Sequence, residues 1–133
     1  MRTILTCLLL VAPVALAQDR KNHAEKMTMA EREQLLKLIN EERKKHDLPP
    51  LKLSAKMDEQ AQSWAEHMHK MGKLKHGGFK GDRGQCIAEG QNSPEAVTKA
   101  WMSDAGHRNI LLGKSYHELG AGRSGKYWVT DFK

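Results

Sequence analysis

The side chains in this sequence that could do chemistry rather than packing are few. His76 opens His76-Gly77-Gly78-Phe79, Cys86 follows Gln85 in Gly84-Gln85-Cys86-Ile87-Ala88, and His107 lies just after Ser103 and Asp104. A thiol beside His76 or His107 would be a nucleophile with its base, since the imidazole takes the proton that makes sulfur reactive. Gly-Gln-Cys is too short a motif to establish that pair. If residues 85 and 86 are extended they point to opposite faces, so only one of them can readily line a cleft. Cys86 is then a small buried apolar residue, a partner in an intermolecular disulfide or a reactive thiol site. Ser103 and His107 are four apart, a helical spacing that would join hydroxyl and imidazole, but Gly106 interrupts it. A helix-end role suits Ser103 or Asp104 better. His67 and His69 are two apart and on a helix would face different ways, which makes them poor joint metal ligands. No Gly-Lys-Ser or Gly-Lys-Thr follows Gly77, Gly78 and Gly84, so these glycines form turns rather than a phosphate loop.

The elements that must position these groups are legible from caps and periodicity. Thr28-x-x-Glu31 is a capping box that starts a helix. Leu35, Leu36 and Ile39 give that helix an apolar stripe, and it ends near His46, where Arg43, Lys44 and Lys45 complement its dipole and Pro49-Pro50 forbids continuation. A second helix has Ser54 as its cap and Met57, Ala61, Trp64, Ala65, Met68 and Met71 at spacings of three and four. The glycine-rich stretch from Gly72 to Gly84 interrupts regular structure. Ser93-Pro94-Glu95 opens a third helix, whose buried face carries Val97, Ala100 and Trp101. After Gly106 comes a short apolar segment, Ile110-Leu111-Leu112. Strands are expected around Tyr116 to Ala121 and Tyr127 to Phe132, with Gly122-Arg123-Ser124-Gly125 as the hairpin turn.

Residues 1–17 read as a signal peptide: Arg2 leads an apolar stretch from Ile4 to Leu16, and Ala15-Leu16-Ala17 is a small-x-small cleavage site before Gln18-Asp19-Arg20. The apolar run is shorter than the ~20 residues of a membrane-spanning helix, so no transmembrane anchor is expected. Residues 18–28 form a flexible lead, and residues 29–133 suffice for one domain with a single core. Cleavage removes Arg2 and Cys7, leaving 21 basic against 16 acidic residues and Cys86 as the only thiol. The mature chain is then headed for a secreted, periplasmic or extracellular setting without an internal disulfide, and Cys86 could join two copies. Basic residues are densest from His67 to Arg83, where Lys70, Lys73, Lys75, His76 and Lys80 meet only one acid, Asp82. Such a face suits anionic surfaces. Nucleic acid is not expected as a partner, because the chain reads as exported and aromatic residues, which would stack on bases, make up only 5% of it.

In order, Leu38-Ile39-Asn40-Glu41-Glu42-Arg43, His76-Gly77-Gly78-Phe79, Gly84-Gln85-Cys86-Ile87-Ala88 and Trp101-x-x-x-x-Gly106-His107-Arg108-Asn109-Ile110-Leu111 resemble the CAP superfamily. Leu119-Gly120-Ala121-Gly122 and Tyr127-Trp128-Val129-Thr130-Asp131-Phe132 extend the resemblance. These are the SCP-like extracellular proteins, and the match is to the compact bacterial type over residues 33–132. The resemblance implies an α+β fold, a three-layer α-β-α sandwich with a small antiparallel sheet, and a cleft lined by two histidines and two acids. Those histidines fall on His76 and His107. The first acid, from a Gly-Glu-Asn-Ile-Ala motif, falls on Gln85, and the second falls on Asp104. His76 and His107 are thereby the implied ligands of a divalent cation such as zinc, with Asp104 or water completing a tetrahedral shell. A neutral amide at position 85 can orient a histidine but cannot act as a general base. The expectation is a noncatalytic module whose cleft of His76, Gln85, Asp104 and His107 binds a lipid, sterol or other small ligand. The alternatives are a metal- or thiol-dependent hydrolase of an extracellular or envelope substrate, and a basic protein that adheres to an anionic envelope surface.

Overall fold

The computed structural model describes residues 24–79 and 81–133, so residues 1–17, read from the sequence as a signal peptide, and most of the expected lead lie outside the described residues. Thr28 closes its capping box with Glu31 and starts α1, Met29–Lys45, which ends at His46. Two residues of extended chain, β1 (Lys52–Leu53), lead to Ser54, whose hydroxyl accepts from the Met57 amide and caps α2, Ala55–Met71. Gly72, in the left-handed conformation, terminates α2. After the glycine-rich loop come β2 (Gly84–Glu89), α3 (Pro94–Ser103) and α4 (Ala105–Leu111). The hairpin of β3 (Glu118–Ser124) and β4 (Tyr127–Phe132) follows.

The four strands form one sheet in the order β1-β3-β4-β2. It is mixed rather than wholly antiparallel: β1 runs parallel to β3, pairing Lys52 with Glu118 and Leu53 with Leu119, while the other pairings are antiparallel. Alternation along the strands divides the interior in two. Cys86, Ala88, Leu119, Ala121, Trp128 and Phe132 face α1, α3 and α4, where Leu35, Ile39, Val97, Trp101 and Leu111 complete a core. Ile87, Tyr127 and Val129 face the opposite way and meet Ala61, Ala65 and Met68 of α2. The result is a helix–sheet–helix sandwich with β2 at one edge. No described helix is long and apolar enough to cross a membrane.

The interruption expected between Ser103 and His107 is present, but it falls at Asp104, which ends α3 and caps α4, while Gly106 lies inside α4 with Ile110 and Leu111. Two expectations about local structure need correction. The hairpin turn is not Gly122 to Gly125: β3 continues through Ser124, and the turn is Gly125-Lys126, with Gly125 at φ +55°. Gly84 belongs to a strand rather than to the irregular stretch before it. The end of the lead is also held in place. Lys26 bridges to Ser124, Glu25 accepts from the Gly125 amide at 2.9 Å, and Met27 is buried.

Candidate functional site

Edge strand β2 organises the candidate site, because consecutive residues on it serve opposite faces. Gln85 points to the α2 side of the sheet and Cys86 to the α3–α4 side. On the α2 side, the loop that carries His76 is laid over Trp64. The indole N–H donates to the Lys75 carbonyl at 2.7 Å, and Gly77 and Gly78 lie so close to the indole that a β-carbon on either would overlap it. This brings His76 and Gly77 against Gln85. The buried amide oxygen Oε1 accepts from the Gly77 N–H at 3.0 Å and meets His76 Nδ1 at 2.8 Å. Its Nε2 donates to the Gly77 carbonyl at 2.7 Å and to Asp131 Oδ1 at 2.8 Å.

Asp131 was not singled out from the sequence. The signal was present but indirect: Tyr127, Val129 and Asp131 alternate onto one face of β4, and only the strand register sets Asp131 opposite Gln85. Its side chain is fully buried, and Oδ2 has no hydrogen-bond partner among the described residues. Burial pushes the carboxyl up to about 6, against the hydrogen bond from Gln85 and the charges of Arg83 and His76, which act to lower it. The folded state therefore holds a proton on Asp131 between the ordinary value of 3.8 and about 6, where the unfolded chain has released it. Stability is lost as pH rises through that window, by on the order of 3 kcal/mol from this group. Urea midpoints at pH 4 and 7.5 should show this difference in the natural chain and its disappearance in Asp131→Asn. An identical pH response in both proteins would refute it.

On the other side of β2, Asp104 does not turn toward Gln85. Its Oδ2 accepts from the His107 amide at 3.0 Å, capping α4, and pairs with His107 Nδ1 at 2.8 Å. The backbone hydrogen bond, with the nearby imidazole, holds this exposed carboxyl below the usual carboxylate range. Ser103 bonds back to the Lys99 carbonyl and takes no part in the site. Among the described residues the four expected cleft residues thus pair as two groups, His76 with Gln85 and Asp104 with His107, with no hydrogen bond between the groups. Among the described residues no three His, Cys, Asp or Glu side chains converge as metal ligands. The implied zinc shell of His76 and His107 with Asp104 is not assembled among the described residues, and Asp104 Oδ2 is engaged by its own helix and His107.

Cys86 is entirely buried, and its Sγ lies 3.8 Å from the His107 carbonyl. Burial, then the negative charges of Asp104 and Asp131, push its pKa far up. The thiol therefore stays protonated. A nucleophile and an intermolecular disulfide both require accessible sulfur, so this placement supports neither and suits a small apolar core residue.

An open cavity of about 520 Å³ lies beside the His76 loop, lined by Lys56, Gln60, Gly78, Phe79 and Arg83. Arg83 is held there by a 2.6 Å hydrogen bond to Gln60. Phe79 closes the His76-Gly77-Gly78-Phe79 motif, but Lys56 and Gln60 carry no signal in the sequence until α2 and the glycine-rich loop are brought together.

The helix–sheet–helix sandwich and the His76 and His107 positions define a class of small α+β domains. The chain belongs to the cysteine-rich secretory protein (CAP) family, whose model matches residues 36–132. It is similar to the uncharacterized protein YkwD of Bacillus subtilis, with 30% identity over 74% of this chain and 45% of that one. Human Golgi-associated plant pathogenesis-related protein 1 is 28% identical over 68% of this chain and 71% of its own length. Among solved structures, an SCP-domain extracellular protein from Bacillus anthracis superposes with a TM-score of 0.71 at 22% identity, covering 92% of this chain and 43% of that one. An outer surface protein of Borrelia burgdorferi superposes with a TM-score of 0.73 at 19% identity, covering 82% of this chain and 96% of that one. The chain thus spans less than half the length of YkwD and of the Bacillus anthracis protein.

Proposed function

We propose that this CAP domain is an exported, noncatalytic binding module that takes a small amphiphilic ligand with an anionic group at the cavity beside His76. The observation that carries the proposal is the lining of that cavity. Lys56 and Arg83 offer positive charge, Phe79 offers an apolar wall, and the His76 loop forms its rim through Gly78. An anionic headgroup with an apolar body, as in a single-chain lipid, matches this lining. Three features favour binding over hydrolysis. Gln85 is neutral and fully hydrogen-bonded, Asp104 caps a helix, and Cys86 is buried with its proton on.

Export rests on residues 1–17 and agrees with the extracellular and outer-surface descriptions of the two structural neighbours. Titration calorimetry with a lysophosphatidic acid below its micellar concentration tests the ligand class. The expected result is one site per chain, weakened about tenfold or more in Lys56→Ala/Arg83→Ala. Binding that ignores this double variant but vanishes in Lys70→Glu/Lys73→Glu would transfer the activity to the basic surface and overturn the cavity reading.

A further inference from the structure

The resemblance makes Gln85 look like a lost acid, but its surroundings give the amide a positive role. A glutamine at a site such as this can be placed two ways round, and the Gly77 backbone decides between them. Its N–H must donate and its carbonyl must accept, so Oε1 faces the N–H and Nε2 faces the carbonyl. Reversal would set donor against donor and acceptor against acceptor. The remaining contacts then follow. Oε1 can only accept, so the neutral His76 ring must carry its proton on Nδ1 to make the 2.8 Å contact. Nε2 has a second N–H to place in a buried setting, and Asp131 Oδ1 takes it at 2.8 Å. An ionised glutamate at position 85 would meet the Gly77 carbonyl, and above about pH 6 an ionised Asp131 as well, with oxygen against oxygen.

We propose that Asp131 and Gln85 form a positioning pair: Asp131 requires an amide at position 85, and that amide fixes His76 as the Nδ1–H tautomer with Nε2 as a hydrogen-bond acceptor. His76 is exposed and its Nε2 makes no hydrogen bond to the described residues. A ligand group meeting it must bring a donor, a hydroxyl or an N–H, rather than a second acceptor. His76 does not itself line the cavity, so a ligand seated there that extends past Gly78 to this ring is specified further, as an anionic amphiphile with a hydroxyl or amide N–H near its head. This rests on the cavity reading only for the ligand; the ring tautomer is a property of the free protein.

Long-range proton–nitrogen correlation spectra of the uniformly nitrogen-15-labelled protein, recorded where His76 is neutral, read the tautomer directly. The natural chain and Asp131→Asn, whose Oδ1 still accepts, should both show Nδ1–H at His76. Gln85→Met removes the acceptor and should shift the ratio severalfold toward the Nε2–H form that free imidazole favours. An Nε2–H ring in the natural chain would overturn the assignment even if Gln85→Met failed to fold. Unchanged tautomer in a folded Gln85→Met would also overturn it. The coupling is tested by denaturation of Gln85→Glu with and without Asp131→Asn. The glutamate should be markedly less destabilising once Asp131→Asn has removed the facing carboxylate, and equal destabilisation in both backgrounds would contradict the pairing. Failure of the lysolipid titration with the expected tautomer intact would refute the ligand class alone.

Discussion

Arg43→Met is expected to remove about 3 to 5 kcal/mol of stability, a large fraction of the roughly 5 to 15 kcal/mol that holds a domain of this kind together. Arg43 lies in the last turn of α1, where a basic residue ordinarily sits in solvent and complements the helix dipole. Here the whole side chain is buried. Its Nε donates to the Pro49 carbonyl at 3.0 Å, and Nη1 donates to the Leu111 and Gly113 carbonyls, each at 2.9 Å. Nη2 approaches the Tyr116 carbonyl at 3.4 Å. The guanidinium thus supplies donors to the chain after α1, the end of α4 and the approach to β3, and burial lowers its pKa. Methionine fills similar space but leaves buried carbonyls without donors, each costing about 1 to 3 kcal/mol. Lysine should rescue little, because an ammonium cannot present a planar fork to carbonyls on several sides. Chemical denaturation measures the loss. A change below about 1 kcal/mol would show that these bonds are replaced by water at no cost.

Gly122→Ala should be comparably damaging for a steric reason. Gly120 and Gly122 alternate on β3 onto the face that α2 covers, and the helix backbone lies against them. A β-carbon on Gly122 would overlap the Gln62 amide nitrogen, and one on Gly120 would overlap the Met57 carbonyl carbon. These are backbone atoms that no rotamer change can move aside, so α2 must lift from the sheet. Overpacking of this kind costs about 3 kcal/mol or more when backbone has to move. For a domain of this size that corresponds to a fall in melting temperature of roughly 10 °C or more. A shift of only a few degrees would mean that the helix and sheet are less tightly apposed than described.

These two residues show where sequence reasoning succeeds and where it stops. Local signals act within one element, so Thr28, Ser54 and Ser93 cap the helices they were expected to cap. The apolar spacing of α2 likewise predicted most of its buried face, Met57, Ala61, Ala65 and Met68, but Met71, expected to continue that face in the last turn, is exposed. Arg43 looked like a dipole-complementing residue because nothing in its neighbourhood announces the carbonyls of Leu111 and Gly113. Gly122 looked like turn chemistry because a glycine that admits a helix backbone and a glycine that reverses a chain are the same letter. Asp131 was invisible as a site residue for a related reason. Its role follows from the register of β2 against β4, a pairing across more than 40 residues of chain. The family motif did bring His76 and Gln85 together. It also grouped Asp104 with His107, and the short Asp104 side chain does pair with that histidine while capping its own helix.

Whether an exported CAP domain carries a ligand in the cavity beside His76 is tested most directly by native mass spectrometry of the protein secreted by its own host. The expected result is a chain beginning at Gln18 with one small anionic adduct, absent from Lys56→Ala/Arg83→Ala. A bare natural chain, or an adduct retained by the double variant, would contradict the cavity, and a chain that keeps residues 1–17 would contradict export.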